Sequence, residues 1–339
     1  MSLTNKEDTI YKKIKVASEN NPEKPEFPSD DPKFPATPTY KIKIPGYNNV
    51  YLKDESYNPT GTHKDRMAWE IIVTYKSFLK SKKDGLIEKL PVMSIISSGS
   101  AAYAIQSQLR KYGLPNLKVI VDEKISPEII TSLEKMGCTI YKKNLSLKKL
   151  SGEDILKITD NQEGFDITSN EALDPTSRFY DWLSYEIINN SPDYCFIPFG
   201  TGNLFENILN ITKKEVSTKN HDPRFKGNVK ILKRCDFFGA TTNNKTTKAD
   251  KLYSPHLPFV HYSEQWLKTY KFSGFVGHYS DVLIFKERYL KEACEILESQ
   301  GVSFEPSAAA GLALFLEIKN KIPKTKKILI VSTGKSKYL

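Results

Sequence analysis

The sequence predicts an α/β fold built on mainly parallel, twisted sheets flanked by helices, and three observations support this. Short apolar runs alternate with amphipathic helical segments after about residue 40. Turns rich in Gly, Ser and Thr follow several of these runs. The chain has 339 residues, of which 39% are hydrophobic and 27% charged, so it can bury a large core as an ordinary globular protein does.

The pattern is clearest in residues 91–142, where it predicts a β-α-β-α-β unit with right-handed crossovers. The predicted strands are Val92–Ile96, Leu117–Val121 and Cys138–Tyr141. The first helix follows the turn SSGS. The second begins at Ser126, an N-cap followed by Pro127 at the first helical position, and ends at Gly137.

The second half of the chain repeats this arrangement with a different sequence. A predicted strand, Tyr194–Pro198, ends in GTGN, and a helix is expected from about Leu204. The later predicted elements are a helix at Asp281–Gln300, a strand at Val302–Phe304, a helix in EPSAAAGLALFLEI and a strand at Ile328–Val331.

This order of elements favours two α/β domains. We predict a smaller domain of residues 60–165 and a larger domain formed by residues 38–59 together with 166–339. Residues 1–37 are predicted to be an extended arm, because the sequence leading up to the domains is rich in Pro, Asn and acidic residues.

Composition narrows the expected location and partners. No apolar run approaches the roughly 20 residues of a membrane-spanning helix, and the N-terminus does not look like a secretory signal, so we expect a cytoplasmic protein with no membrane partner. The formal charge is +10, but acidic residues lie between the lysines throughout, and no nucleic-acid partner is predicted. The cysteines and histidines lack metal-ligand spacing, so no metal site is predicted.

Ligands of open α/β sheets bind where strands end and helices begin. The segments predicted at such positions are Asn58–Arg66, Ser97–Ala101, Gly200–Leu204 and Ser332–Gly334. In the first of them, NPTGTHKDR, Lys64 begins a helix, whose dipole disfavours the charged ammonium there. An uncharged amine is what a nucleophilic lysine requires, although a surface lysine after a turn is the simpler alternative.

The turn GTGN places two glycines and a small hydroxyl between a strand and a helix. Backbone N–H groups at such a turn can surround a phosphate. The turn lacks the third glycine of a dinucleotide motif, and NPTGTHK does not match a P-loop. A simple phosphate ester is therefore favoured over a nucleotide.

Taken together and in this order, the segments resemble those of the fold-type II pyridoxal-phosphate enzymes, the tryptophan synthase β superfamily. This family includes threonine synthase, cysteine synthase and the serine and threonine dehydratases. The resemblance covers roughly residues 38–339. NPTGTHKDR resembles the Schiff-base segment of the family, and SSGS resembles the loop that binds the substrate carboxylate. IPFGTGNL resembles the phosphate cup. EPSAAAGLA resembles the helix beside the cofactor ring, and STG resembles the turn at the pyridine nitrogen.

The resemblance implies that pyridoxal 5'-phosphate is held by Lys64, which is also the catalytic residue. Further cofactor contacts are implied for His63, Ser100, Gly200, Thr201, Gly202, Asn203, Leu204, Ser332 and Thr333. Substrate contacts are implied for Ser97, Ser98, Gly99, Ser100 and Ala101. Ser100 departs from the asparagine of most relatives, and His63 could alternatively only pack against the sheet. The expected partners are an amino-acid substrate and a second copy of the chain, in a homodimer.

The implied reaction is a β- or γ-elimination or replacement on a small hydroxy-amino acid or its activated ester. NPTG, KDR and GTGN look most like threonine synthase, whereas His63 is closer to tryptophan synthase β and GKSKYL resembles the C-terminus of cysteine synthase. Cysteine synthase or dehydratase activity is therefore an alternative. A non-catalytic ligand-binding protein on the same scaffold is an alternative of another class.

Overall fold

The computed structural model describes residues 36–168, 179–253, 272–275 and 278–337. The predicted N-terminal arm lies almost wholly outside these residues. The strands are β1 (Thr39–Lys41), β2 (Val50–Asp54), β3 (Met93–Ile96), β4 (Lys118–Asp122), β5 (Thr139–Lys143), β6 (Phe165–Asp166), β7 (Tyr194–Pro198), β8 (Asp236–Thr241), β9 (Phe272–Phe275), β10 (His278–Ile284) and β11 (Ile328–Ser332). The α-helices are α1 (Lys64–Val73), α2 (Tyr75–Lys83), α3 (Ser100–Lys111), α4 (Pro127–Lys135), α5 (Gly152–Ile158), α6 (Asp181–Ile188), α7 (Asn203–Ser217), α8 (Val229–Leu232), α9 (Glu287–Ser299) and α10 (Ala310–Ile318).

The strands form two sheets. The smaller sheet has the order β5-β4-β3-β6 and is parallel throughout. The larger has the order β1-β2-β11-β7-β8-β10-β9; its five central strands are parallel, and its two edge strands pair antiparallel. The prediction of an α/β fold with mainly parallel sheets is confirmed. The domain boundaries stay a prediction.

The chain leaves the larger sheet after β2, builds the smaller sheet, and returns to the larger one. β11, the last strand in sequence, then pairs with β2 on one side and β7 on the other. Since all three strands are parallel, their carboxyl ends lie at one edge of the sheet. The segments that follow β2, β7 and β11 are thus brought together at that edge.

Two of the predicted elements in the second half are wrong. Residues 281–284 continue β10 rather than beginning a helix, because Val282 and its neighbours pair with β8, and the helix starts only at Glu287. Residues 302–304 are not a strand: the Val302 N–H donates to the carbonyl of Leu297 and so closes the end of α9.

The small-residue segment after α9 brings a helix close to the larger sheet. It begins with a 3₁₀ turn at Pro306–Ala309 and continues as α10. A Cβ added to Gly311 would lie 2.8 Å from the carbonyl oxygen of Phe196 in β7. Only glycine permits this approach, and α10 therefore packs directly against the strand that leads into GTGN.

Candidate active site

The segment before Lys64 is held by the segment after β11. The N–H of His63 donates to the carbonyl of Thr333 over 3.1 Å. The N–H groups of Lys335 and Lys337 donate to the carbonyls of Gly61 (2.8 Å) and Thr60 (3.0 Å). These bonds, which lie outside both sheets, join the start of α1 to the STG turn.

Two glycines make this junction possible. Gly61 and Gly334 have φ angles of +90° and +93°. A Cβ on Gly61 would lie 2.1 Å from the carbonyl oxygen of Lys335, and one on Gly334 would lie 2.1 Å from that of Gly61. Any side chain would push the two segments apart and separate Lys64 from Thr333.

Lys64 is the first residue of α1, and its amine contacts a tyrosine that the sequence analysis missed. The Nζ of Lys64 donates to the hydroxyl of Tyr180 over 3.1 Å. Tyr180 is only 1% exposed and precedes α6 directly. A single tyrosine in RFYDW belongs to no motif, so its proximity to Lys64 follows only from the packing of α6 near α1.

His63 stacks on the same tyrosine. The ring centres of His63 and Tyr180 are 5.4 Å apart, with an angle of 27° between the planes. Burial, reinforced by the charge of Lys64, lowers the pKa of His63 to about 3, so the imidazole is neutral at physiological pH. Its Nδ1 is buried and has no hydrogen-bond partner among the described residues. A bound ligand or an ordered water molecule would satisfy such an atom.

The SSGS turn divides its serines between two roles. The hydroxyl of Ser97 is buried and accepts the N–H groups of Gly99 (3.1 Å) and Ala102 (3.2 Å), so it shapes the turn at the start of α3. Ser98 is exposed, while Ser100 and Ala101, the first residues of α3, are half-buried. Ser98 and Ser100 are therefore better placed than Ser97 to meet a ligand with their hydroxyls.

The GTGN turn leads from β7 into α7. Gly202 is the N-cap of α7, has a φ of +85° and provides no side-chain cap. The first N–H groups of a helix have no intrahelical acceptor, so those of α7 are available to an anion. Thr201 is exposed beside them, whereas Leu204 is buried in the core. Leu204 can thus contribute only its backbone to a ligand.

The end of β11 presents hydroxyl groups. Ser332 is completely buried, and its Oγ has no hydrogen-bond partner among the described residues; Thr333 is 8% exposed. Asp54, the last residue of β2, is paired with Ser332 across the two strands. Its carboxylate already accepts two hydrogen bonds, from the Tyr40 hydroxyl (2.7 Å) and from the Ser56 N–H (3.0 Å). Ser332 and Thr333 therefore place neutral hydroxyl groups at the end of β11. The ion pair of Lys251 and Glu305 lies beside this turn, where the Glu305 N–H donates to the Gly334 carbonyl over 3.1 Å.

Glu55, the next carboxylate in the chain, belongs to a buried ion network. It accepts from Arg66 Nε (3.3 Å) and from the Asn58 amide (2.7 Å) and lies 3.7 Å from Lys53 Nζ. Glu186 of α6 binds both cations and lies 2.9 Å from Arg66 Nη1. Burial alone would raise the pKa of Glu55, but Arg66 and Lys53 outweigh it and lower the pKa to about 2. The network fastens α1 to β2 and α6.

One further residue at this edge lies outside every predicted segment. Thr241 ends β8 and is 1% exposed, and its hydroxyl has no partner among the described residues. In the part of the chain that the structure describes, no cluster of His, Cys, Asp or Glu could hold a metal ion, and no helix is long and apolar enough to cross a membrane.

The chain matches the family described as pyridoxal-phosphate dependent enzymes over residues 34–334. Among solved structures it is similar to O-ureido-L-serine synthase, with a TM-score of 0.64, 16% identity, and 89% of each chain covered. It is also similar to O-acetylserine-dependent cystathionine β-synthase from Helicobacter pylori, with a TM-score of 0.60, 16% identity, and 89% of this chain and 93% of that chain covered. For maize serine racemase the TM-score is 0.57 at 16% identity, with 84% and 82% covered. No curated protein sequence matches the chain.

Proposed function

Because the chain belongs to the family of pyridoxal-phosphate dependent enzymes, we propose that it catalyses β- or γ-elimination or replacement on a small hydroxy-amino acid or its activated ester, as threonine synthase does. The family match covers nearly all of the described residues, and pyridoxal 5'-phosphate is the cofactor. The reaction, the substrate and the role of each residue below are the proposal.

The groups at the sheet edge fit this cofactor. Lys64 offers an amine at the start of α1, and the uncapped start of α7 offers N–H groups to a phosphate. His63 Nδ1 and Ser332 Oγ are buried and have no hydrogen-bond partner among the described residues, and a polar ring could supply one. We assign the pyridine nitrogen to Thr333 first and to Ser332 second.

The observation that carries the proposed reaction is the pair of hydroxyl side chains, Ser332 and Thr333, at the end of β11. When bound, the cofactor supplies an electron sink for the substrate's α-carbon. A hydroxyl partner leaves the pyridine nitrogen largely unprotonated, whereas a carboxylate would favour its protonation. Asp54 and Glu55 are held by other groups, and so is Glu305 beside the turn, which pairs with Lys251. Elimination and replacement are thereby favoured over transamination.

The chain's own groups divide the remaining work. Lys64 Nζ holds and moves the proton at the α-carbon, and in an elimination also at the leaving group. The SSGS turn binds the substrate carboxylate with the hydroxyls of Ser98 and Ser100 and the backbone at Gly99 and Ala101. His63, being neutral, contributes a hydrogen bond without adding positive charge beside Lys64.

Two of the similar structures carry O-substituted serines in their names, O-ureido-L-serine synthase and O-acetylserine-dependent cystathionine β-synthase. The second name gives an activated ester, O-acetylserine, as a requirement of that enzyme, which favours such an ester as the substrate here and supports β-replacement, as in cysteine synthase, as the second candidate. We further propose that the protein is a cytoplasmic homodimer.

A substrate screen tests the proposal. Serine, threonine, O-acetylserine and phosphohomoserine would each be added to the cofactor-loaded protein, with Lys64→Ala as the matched control. We expect release of acetate, phosphate or ammonia from one of these amino acids by the unaltered protein alone. If all four bind and change the visible spectrum without being consumed, the non-catalytic binding protein is the better account.

A further inference from the structure

We propose that the hydroxyl of Tyr180 holds the free amine of Lys64 and orients it toward the cofactor and substrate. The proposal rests on the function proposed above, because it requires that Lys64 binds the cofactor covalently. The hydroxyl lies 3.1 Å from Nζ, and the ring centre lies 5.8 Å from it. Since Tyr180 is 1% exposed, water competes little for this hydrogen bond.

Tyr180 is itself fixed by the start of α1. Its ring stacks on His63, the residue before Lys64, and its hydroxyl lies 3.9 Å from the Sδ of Met67, one turn after Lys64. Apart from Lys64, this thioether is the hydroxyl's hydrogen-bonding neighbour in the described chain, and sulfur accepts weakly. The position of the hydroxyl is therefore set by packing, and its strong hydrogen bond goes to Nζ.

A phenol suits an amine whose protonation changes during a reaction. It accepts an N–H from an ammonium group, and it donates its O–H to the lone pair of a neutral amine. Tyr180 can thus hold Nζ in both states. Without such a partner, the long lysine side chain would sample several rotamers whenever it is not attached to the cofactor, and each attack would have to find the productive one.

Attachment of the cofactor depends directly on this orientation. The Nζ lone pair forms a bond to the aldehyde carbon, and the aldehyde oxygen leaves as water together with the two hydrogens that the neutral amine gives up. Tyr180 touches the attacking atom before this step and gives the freed amine a place to return to. We therefore describe it as a positioning residue for Lys64.

The test is the rate at which the cofactor-free protein attaches pyridoxal 5'-phosphate, followed by visible absorbance over a range of pH. Tyr180→Phe keeps the ring stacked on His63 and removes only the hydroxyl. We expect about three- to tenfold slower attachment, as for the loss of one hydrogen bond, together with a changed pH profile. The matched control is Tyr75→Phe, which removes another buried hydroxyl, bonded to the Pro91 carbonyl over 2.8 Å. This variant should attach the cofactor at the unaltered rate.

A non-covalent ligand separates positioning from simple packing. Pyridoxine 5'-phosphate carries an alcohol in place of the aldehyde, so its affinity reports the phosphate and ring sites without Lys64 attachment. Its affinity should be unchanged in Tyr180→Phe. A parallel loss of this affinity and of the attachment rate would show that Tyr180 only supports the fold, and would overturn the proposal.

A second measurement avoids substitution at Tyr180. Uniform incorporation of 3-fluorotyrosine acidifies the phenols and should shift the pH profile of attachment if a phenol contacts Nζ. An unshifted profile, or wild-type attachment by Tyr180→Phe, overturns the role of Tyr180 and leaves the proposed function standing. If the unaltered protein attaches no cofactor to Lys64, the proposed function fails and this inference fails with it.

Discussion

At the scale of single residues, the proposed chemistry depends most on the amine of Lys64. Borohydride reduction of the cofactor-loaded protein, followed by peptide mapping, should place the pyridoxyl group on Lys64. Lys64→Ala should lose covalent attachment while keeping its far-UV spectrum, because the side chain begins a helix and is not part of the core. Lys118→Ala, which removes another partly buried lysine, is the control. A label on a different lysine would contradict the assignment.

Asp65, beside Lys64, has an unusual titration. Its carboxylate accepts the N–H (2.9 Å) and hydroxyl (2.7 Å) of Thr60, yet burial dominates and raises the pKa of Asp65 to about 6. Because the pKa is raised in the folded state, the folded form favours the protonated carboxyl. The contribution of Asp65 to stability is therefore complete below pH 4 and is lost as the pH rises to about 6.

The variant Asp65→Asn tests this. A pKa of Asp65 raised from its ordinary value to about 6 corresponds to a loss of about 3 kcal/mol in the free energy of unfolding once the carboxyl is ionised. Urea unfolding at several pH values should show that the free energy of unfolding falls less steeply between pH 4 and 6 in Asp65→Asn than in the unaltered protein. The exposed Asp84, which follows α2, offers a control, Asp84→Asn, which should leave the slope unchanged. Equal slopes for all three proteins would contradict the titration of Asp65.

Single residues also mark where sequence reasoning ends. Lys64, Thr333 and the GTGN turn could be named as candidates from the sequence: GTGN and Thr333 follow predicted strands, and Lys64 lies in the segment NPTGTHKDR. Tyr180 and Thr241 could not, because each is brought to the site by packing between distant elements and belongs to no local pattern. The substrate contact of Ser97 stays a prediction, and the packing adds what the sequence does not reveal, that its hydroxyl accepts N–H groups of its own turn.

Among the secondary-structure elements, the start of α7 is where we propose that the cofactor phosphate binds. A side chain at Gly202 would meet the ring of Phe199 at 2.9 Å and would have to adopt a φ of +85°. Gly202→Val should therefore weaken cofactor binding by at least about tenfold, a loss of about 1.4 kcal/mol, measured by titration of the cofactor-free protein.

A control variant separates the general cost of a side chain at a positive φ from a specific effect on the phosphate site. Gly113 also has a positive φ, +61°, but a Cβ there meets nothing within 4 Å. Gly113→Val should destabilise the protein and leave cofactor affinity unaltered. If both variants bind the cofactor as the unaltered protein does, α7 does not hold the phosphate.

Element boundaries show a similar limit. A helix is predicted over Asp281–Gln300, and α9 does lie in this range, but it starts only at Glu287. Pairing of residues 281–284 with β8 overrides the helical prediction there. A short apolar run does not reveal by itself whether a sheet neighbour exists.

At the scale of the whole molecule, the buried ion network links the two predicted domains, because its residues come from both. Arg66 lies on α1, Glu55 follows β2, and Glu186 lies on α6. Arg66→Met would remove one of the two cations that Glu55 and Glu186 share in the interior. We expect a loss of about 3–5 kcal/mol in the free energy of unfolding, measured with urea.

The exposed ion pair of Lys148 and Asp154 provides the contrast, since Lys148 is 66% exposed. Lys148→Met should change stability little, because water and salt screen the pair. Comparable stabilities for Arg66→Met and Lys148→Met would mean that the buried network does not hold α1 in place.

The junction between Gly61 and Lys335 has a consequence for the order of events during protein synthesis. Lys64 leaves the ribosome early, but the residues that hold its segment, 333–337, are made only after both sheets have been translated. A nascent chain that has completed only the smaller sheet would expose Lys64 without the STG turn that holds its segment. Cofactor capture by this lysine should therefore be a late, post-translational event. Ribosome-bound chains arrested before Thr333 should carry no pyridoxyl group on Lys64 after incubation with pyridoxal 5'-phosphate and borohydride reduction.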